Sequence, residues 1–300
     1  MIGVEWTETS LRAFRLGADG TIRDRKSSPR GMQRVQDGRF ADTLREEIGP
    51  WLAAGEDRVL LAGPIGGRGG WIAAPYLACP AGAAELADAL VPVPFGWAQV
   101  KLVPGLATTD EGGVPEVMRG EETQFVGGIA AMDERGLAAV GERGILCLPG
   151  PRSRWARIEG GRIAGFVTWM TGEAHAALRV SASLGRMTRD GPTDLQAFDQ
   201  GLARSADAGG LLHHLFGVRA LGLAGRLSEG AAPAYLSGLL IGHEVREAVP
   251  RGAAVDLIGP TELVALYARA ITACRGRPIV SDGEAAARGL FLIGERARWS

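Results

Sequence analysis

Residues 1–23, Met1-Ile2-Gly3-Val4-Glu5-Trp6-Thr7-Glu8-Thr9-Ser10-Leu11-Arg12-Ala13-Phe14-Arg15-Leu16-Gly17-Ala18-Asp19-Gly20-Thr21-Ile22-Arg23, read as a β-meander. Apolar runs at Ile2–Trp6 and Leu11–Leu16 flank a polar turn at Thr7-Glu8-Thr9-Ser10, and Asp19-Gly20 ahead of a third strand is a strong hairpin signal. The pattern returns in the second half of the chain. Ile145-Leu146-Cys147-Leu148 leads to a turn at Pro149-Gly150-Pro151-Arg152-Ser153, then Trp155 to Ile158, Gly160-Gly161, and a strand through Phe166-Val167-Thr168-Trp169. Two halves that begin alike imply a duplicated α/β unit with a cleft between the copies.

The segments around the meanders alternate between strand and helix, which marks the α/β class. Helical periodicity covers Thr43 to Ala54, 192–206, Ala232 to Ala248, Thr261 to Cys274 and the end of the chain from Gly283. Buried strands are expected at Arg58–Gly63, Ala254–Ile258 and Pro278-Ile279-Val280. Gly66 to Gly70 is a glycine-rich loop, but no Gly-Lys-Ser/Thr occurs in the chain, which excludes the P-loop class of nucleotide hydrolases. Small residues four apart at Gly238 and Gly242 suit close helix packing.

Between the halves lies Met118-Arg119-Gly120-Glu121-Glu122-Thr123-Gln124-Phe125-Val126-Gly127-Gly128-Ile129-Ala130. Phe125, Val126, Ile129 and Ala130 recur at helical spacing, so two adjacent carboxylates fall in the first turn of an amphipathic helix. The free N–H groups and dipole of that end favour ionised carboxylates. Two readings follow: the glutamates complement the dipole of a solvated helix, or one of them serves as a general base on a substrate hydroxyl.

A content of 46% hydrophobic residues over 300 positions supports a core of one large domain or two ordinary ones. No run of eighteen apolar residues and no leader pattern at the amino terminus occur, so cytoplasmic residence is expected. Three cysteines, Cys79, Cys147 and Cys274, are too few and too scattered for a disulfide framework or a zinc ribbon. A net charge of −1 provides no broad basic surface for nucleic acid. Lys26 and Lys101 are the only lysines, so a bound anion would meet guanidinium groups. His175, His213, His214 and His243 lack metal-ligand spacing.

Several ordered segments resemble the 2-dehydro-3-deoxygalactonokinases, sugar-acid kinases of the actin, hexokinase and Hsp70-like ATPase superfamily. They are Gly70-Trp71 with Pro75-Tyr76-Leu77, Val103-Pro104-Gly105-Leu106, Val117 to Gln124, Met170-Thr171-Gly172-Glu173 with His175, Leu215 to Ala220, and Leu236 to Gly242 with Glu244-Val245. The resemblance implies two RNase-H-like (actin-like ATPase) domains flanking a nucleotide and substrate cleft, residues 1–137 and 138–283, with the helix at 284–300 packing on the first. It implies phosphorylation of 2-dehydro-3-deoxy-D-galactonate at its C6 hydroxyl by ATP with Mg2+, by a protein that binds neither nucleic acid nor membrane and can form a homodimer. Glu122 would then be the base, supported by Glu121, and Glu5 would help to place the metal. Phosphates would meet Thr9, Ser10, Gly150, Ser153 and Arg154, the adenosine would meet Gly259, Thr261 and Gly283, and the sugar acid would meet Arg119, Thr171, Gly172, Glu173 and Arg219.

The nucleotide-side segments depart from that family's pattern. Glu5-Trp6-Thr7-Glu8-Thr9 stands where relatives have Asp-Trp-Gly-Ser-Thr, and Pro149-Gly150-Pro151-Arg152-Ser153-Arg154-Trp155 where they tend to have Pro-Gly-Thr-His-x-Lys-Trp. Glu8 brings like charge towards phosphate, a repulsion of about 4 kcal/mol for two unit charges roughly 4 Å apart at an effective dielectric near 20. Pro151 removes a hydroxyl and an N–H donor. These departures bring in one alternative to the kinase, a descendant that binds a sugar acid without efficient ATP use; the resemblance of the Gly120-Glu121-Glu122 connection to that of polyphosphate-cleaving members of the superfamily brings in a second, a phosphohydrolase.

Overall fold

The structure is a computed structural model, and it describes residues 1–135, 144–181, 193–281 and 283–299. By contact the chain divides into two compact units: Met1–Gly144 with Ala156–Phe166 and Asp282–Ser300, and Ile145–Trp155 with Val167–Ser281.

In the first unit the meander forms β1 (Ile2–Trp6), β2 (Leu11–Leu16) and β3 (Ile22–Ser28), followed by α1 (Phe40–Ala53) and β4 (Arg58–Ala62). Then come β5 (Tyr76–Ala78), α2 (Ala83–Asp88), β6 (Val91–Val93), β7 (Gln99–Leu102), β8 (Gly105–Thr109), β9 (Pro115–Met118) and α3 (Glu121–Glu134). The main sheet runs β3-β2-β1-β4-β7-β6. β1 is antiparallel to β2 and parallel to β4, and β4 is parallel to β7. β1 lies inside the sheet and all five of its residues are buried. Trp6, Phe40, Leu44, Ile48, Val59 and Leu61 form the centre of this unit's core.

The second meander forms β10 (Gly144–Leu148), β11 (Ser153–Glu159) and β12 (Arg162–Trp169). After it come α4 (Thr171–Val180), α5 (Leu195–Arg204), α6 (Gly210–Leu223), α7 (Ala232–Ala248), β13 (Ala254–Leu257), α8 (Thr261–Ala273) and β14 (Arg277–Val280). The sheet order is β12-β11-β10-β13-β14, with β10, β13 and β14 parallel. In both sheets, therefore, three consecutive strands read outward as three-two-one, and the next two join the far side parallel to the first. That order is the RNase-H-like arrangement, and it occurs twice.

The last helix, α9 (Ala285–Arg296), packs within the first unit against α3. The approach is at backbone distance: a Cβ on Gly127 would lie 2.0 Å from Ala285 O, and one on Gly289 would lie 1.8 Å from Thr123 O. Glycine is the residue that allows this contact. The α5–α7 pair packs in the same way through Gly238, where a Cβ would lie 2.0 Å from Phe198 O.

Two features were not legible in the sequence. A three-stranded sheet, β5-β8-β9, forms from segments of three to five residues, too short to carry a periodic signal. It delivers Met118 to the head of α3, so it positions the acidic pair. The helix α6 has apolar residues on every side, so no face stands out. Residues 192 of the expected helix before α5 and 282 near the end lie outside the described residues.

Candidate functional site

The head of α3 sits against the ends of β1 and β4. Gly120 has φ 112°, and a Cβ there would lie 3.0 Å from Gly63 Cα; Gly63 has φ 122°, and its Cβ would lie 2.3 Å from Trp6 O. Both positions lie in the left-handed region that side chains disfavour, and both are crowded by backbone, so glycine is required twice. This contact turns the chain abruptly from β9 into the helix.

Glu122, the second residue of α3, is fully buried. Its Oε2 accepts the Gly120 N–H at 2.6 Å, while Oε1 is buried without a hydrogen-bond partner among the described residues. Burial, reinforced by the neighbouring charge of Glu121, pushes this carboxyl up to about 8. An orphaned oxygen on a buried acid carries a cost of about 1–3 kcal/mol unless something else approaches it. Glu121 is half-buried and its Oε2 accepts the Arg119 N–H at 3.2 Å. The Arg119 guanidinium lies 4.3 Å from the centre of the Tyr76 ring. It donates to Ala74 O at 2.8 Å, and its Nε and Nη1 are buried without a hydrogen-bond partner among the described residues.

Glu5, at the end of β1, is also buried, and both of its oxygens are engaged. Oε1 accepts from Gln124 Nε2 of α3 at 2.7 Å, and Oε2 accepts from Arg12 Nε at 2.6 Å. A carboxylate already neutralised by a guanidinium does not fit direct ligation of a magnesium ion, and no group of three acidic, histidine or cysteine side chains able to hold a metal occurs among the described residues. Glu5, expected to help place the metal, has both oxygens taken up by Arg12 and Gln124. Arg12 faces Glu5 across the β1–β2 ladder, a pairing that counting back from the turn could have found.

The first turn is closed by its own side chains. Thr7 Oγ1 accepts the Ser10 N–H at 3.0 Å and the Thr9 N–H at 3.4 Å, and it lies 2.9 Å from Ser10 Oγ. Thr7 and Glu8 carbonyls take the N–H groups of Met32 and Gln33 at 3.0 and 3.1 Å. Thr9 and Ser10, expected to meet phosphates, thus have their amides bonded to Thr7, and Glu8 and Thr9 stand exposed at the tip.

In the second unit, the turn after β10 and the start of α4 are zipped together. Glu173 N donates to Pro151 O at 2.9 Å, Arg152 Nε lies 3.3 Å from Glu173 Oε1, and a Cβ on Gly172 would lie 2.7 Å from Gly150 O. Between this seam and the helices α7 and α8 lies a cavity of about 370 Å³, lined among others by Gly150, Pro151, Thr171, Glu173, Leu240 and Tyr267. Its lining is mostly apolar, and Glu173 and His175 are its titratable side chains besides Tyr267. His175 Nε2 lies 3.1 Å from Pro233 O, and burial lowers its pKa, so it is neutral at pH 7.

The sequence-predicted residues of this turn divide. Ser153 is wholly buried and donates to Glu244 Oε1 at 2.7 Å, and Arg154 is buried and bonded to Thr168 Oγ1. Ser153 thus meets α7, while Arg154, the next residue of β11, meets β12. Arg152, half exposed at the tip, is the guanidinium that the turn presents. Thr171 is the first residue of α4, and its hydroxyl favours the ionised form of the Glu244 carboxyl. Glu244 stood in a segment that carries the resemblance but was given no role, and Tyr267 was missed, because the partners of an acid on an apolar helix are known only once the chain folds around it.

The sequence profile described as 2-keto-3-deoxy-galactonokinase matches residues 5–293. The chain belongs to the 2-keto-3-deoxy-galactonokinase family. It is 31% identical over 303 residues to the Rhizobium meliloti (strain 1021) protein named "Probable 2-dehydro-3-deoxygalactonokinase DgoK1", covering 99% of this chain and 96% of that one. It is 32% identical over 275 residues to the 2-dehydro-3-deoxygalactonokinase of Escherichia coli (strain K12), covering 91% and 89%. A crystal structure of a protein assigned as a 2-dehydro-3-deoxygalactonokinase from Sinorhizobium meliloti superposes with a TM-score of 0.87 at 29% identity, covering 98% of each chain.

As a member of this kinase family, the chain carries its remaining expected positions in separate places. Gly259 borders the second turn, where a Cβ would lie 3.3 Å from Pro149 O, and Thr261 is exposed at the first position of α8. Arg219 lies half-buried on α6 in the second unit, and Arg119 lies in the first. Gly283 is exposed just before α9. No helix among the described residues is long and apolar enough to cross a membrane.

Proposed function

We propose that this chain is an ATP-dependent sugar-acid kinase that phosphorylates 2-dehydro-3-deoxy-D-galactonate on its C6 hydroxyl in the cytoplasm, with Glu122 as the base. The observation that carries the reading is the buried Glu122 carboxyl, whose Oε1 has no hydrogen-bond partner among the described residues although it lies at the electropositive end of α3. A substrate hydroxyl supplies the missing partner. As the O6–Pγ bond forms and the bond from Pγ to the β-phosphate bridging oxygen breaks, the hydroxyl proton passes to Glu122, and ADP leaves. Phosphoryl transfer depends mainly on positioning and charge stabilisation, so a placed base and a held triphosphate are sufficient apparatus. Glu121 tunes Glu122 by its charge.

Magnesium enters with the nucleotide as MgATP, held by phosphate oxygens and water, which suits an ion that keeps most of its hydration. Arg119, with two buried N–H groups left to donate, is assigned to the substrate carboxylate, and Arg219 to the same substrate. The cavity of the second unit is assigned to the nucleoside. Among the described residues neither arginine nor lysine lines it, and its walls are mostly apolar, so it suits a nucleobase and not a sugar carboxylate. Thr171, Gly172 and Glu173 therefore move from the sugar-acid side to the nucleotide side, beside Gly150, Gly259 and Thr261, while Arg152 takes the phosphate role expected of Arg154. The proposed domains are residues 1–137 with 284–300, and 138–283; their boundary lies outside the described residues, and by contact Ala156–Phe166 goes with the first unit.

The test is a coupled assay of the purified protein with MgATP against a panel of 2-keto-3-deoxy acids, with the product identified by phosphorus NMR. A 6-phosphate of 2-dehydro-3-deoxy-D-galactonate is expected. Phosphate release without any acid, or acid binding without nucleotide binding, would overturn the assignment. No observation favours the non-catalytic alternative.

A further inference from the structure

Glu244, on α7, is 1% exposed and has no part in the chemistry above. Its oxygens gather donors from three other elements. Oε1 accepts from Ser153 Oγ at 2.7 Å and from Trp155 Nε1 at 2.6 Å, both on β11. Oε2 lies 2.8 Å from Tyr267 Oη on α8, which is also 3.1 Å from Ser153 Oγ. The Thr171 hydroxyl, at the head of α4, also favours the ionised carboxyl. Burying a carboxyl costs several kcal/mol relative to an apolar side chain of the same size unless hydrogen bonds offset the lost hydration. Here four groups do so, and an ionised carboxylate, which only accepts, satisfies all of them.

The placement of those donors gives the cluster a direction. Thr171 and Tyr267 line the cavity, and Ser153 closes the turn that starts with Gly150 and Pro151, which line it as well. One buried group on α7 thus fixes the phosphate-side turn, the head of α4 and the aromatic wall relative to one another. We infer that Glu244 is a positioning residue that holds the nucleotide pocket of the second unit in its binding geometry; this rests on the nucleoside assignment made above. The nucleotide then pays less ordering entropy on arrival than it would if the turn and the helix head moved independently.

The experiment compares wild type with Glu244→Gln by calorimetric titration with MgADP, by steady-state kinetics with MgATP and sugar acid, and by thermal unfolding. Gln keeps the shape but turns an NH2 group towards hydroxyl and indole donors, so at least one of the four contacts is lost. The Kd for MgADP and the KM for MgATP are expected to rise about tenfold, the cost of one charge-assisted hydrogen bond, with kcat within about threefold and the sugar-acid KM unchanged. A folded variant with wild-type nucleotide Kd overturns the inference, as does a fall in kcat at unchanged nucleotide KM. If Glu244→Gln does not fold, Tyr267→Phe, which deletes a single hydroxyl, is read instead: a weaker MgADP titration supports the inference and an unchanged one overturns it. Titration needs no turnover, so the two readings fail differently. A wild-type protein that does not bind MgADP defeats the nucleoside assignment, whereas wild-type binding that the variants leave unaltered defeats the role of Glu244 alone.

Discussion

Replacing Glu122 by Gln removes an ionisation and keeps the shape of a buried side chain, so it separates the chemistry of this residue from its packing. The carboxyl titrates near 4.5 when unperturbed and is pushed up to about 8 in the fold. Because the folded value is the higher one, the stability that this group contributes is fully present below pH 4.5 and is lost as pH rises to about 8. A shift of that size corresponds to roughly 5 kcal/mol at about 1.4 kcal/mol per unit. Urea unfolding at pH 5, 6, 7 and 8 should therefore show Glu122→Gln gaining on wild type at each step, by an amount of that order in all, with no further change above pH 8. The same titration governs catalysis. About a tenth of Glu122 is ionised at pH 7 if it titrates near 8, so wild-type kcat/KM should rise tenfold per pH unit below that point and level above it. Glu122→Gln should lose about 10²- to 10⁴-fold in kcat at pH 8, the usual worth of a positioned base. A pH-independent stability difference together with retained turnover would refute both the buried titration and the assignment of the base.

Gly289→Ala should push α9 away from α3, since its Cβ would lie 1.8 Å from Thr123 O; a loss of about 1–3 kcal/mol or more is expected from overpacking against backbone, read as a fall in Tm. Arg12→Ala should leave Glu5 with one of its two partners and destabilise the first unit by about 1–3 kcal/mol in urea unfolding; an unchanged midpoint would show that Gln124 alone satisfies the carboxylate. Arg119→Lys retains the charge but loses the fork and the stack on Tyr76. It should raise the sugar-acid KM about tenfold, the worth of a charge-assisted contact, and leave the MgATP KM unchanged. Equal effects on both would remove Arg119 from the substrate carboxylate.

The fold was written in local patterns. Alternation and turn chemistry in residues 2–16 and 145–169 announce two meanders, and a meander with a following parallel strand on its open side leaves few topologies for an α/β chain. Ala232 to Ala248 was bounded from periodicity to the residue. The acidic pair at the head of α3 was equally visible, because capping position and apolar spacing are properties of consecutive residues. What periodicity could not place was anything that depends on residues distant in the chain. Glu5 finds its partners in Arg12 and Gln124, seven and 119 positions away. Ser153 and Arg154, expected at phosphate, are both buried, and Glu244, 91 residues on, receives the serine hydroxyl. Gly150 and Thr171-Gly172-Glu173, expected at two ligands, line one cavity. The amino-acid order by itself determined the class, the duplication and the carboxylate at the helix head, since backbone propensity and hydrophobic period act over a few residues. Only the tertiary structure decided which polar groups remain free to act, because satisfying a buried donor or acceptor is a matter of who is adjacent in space.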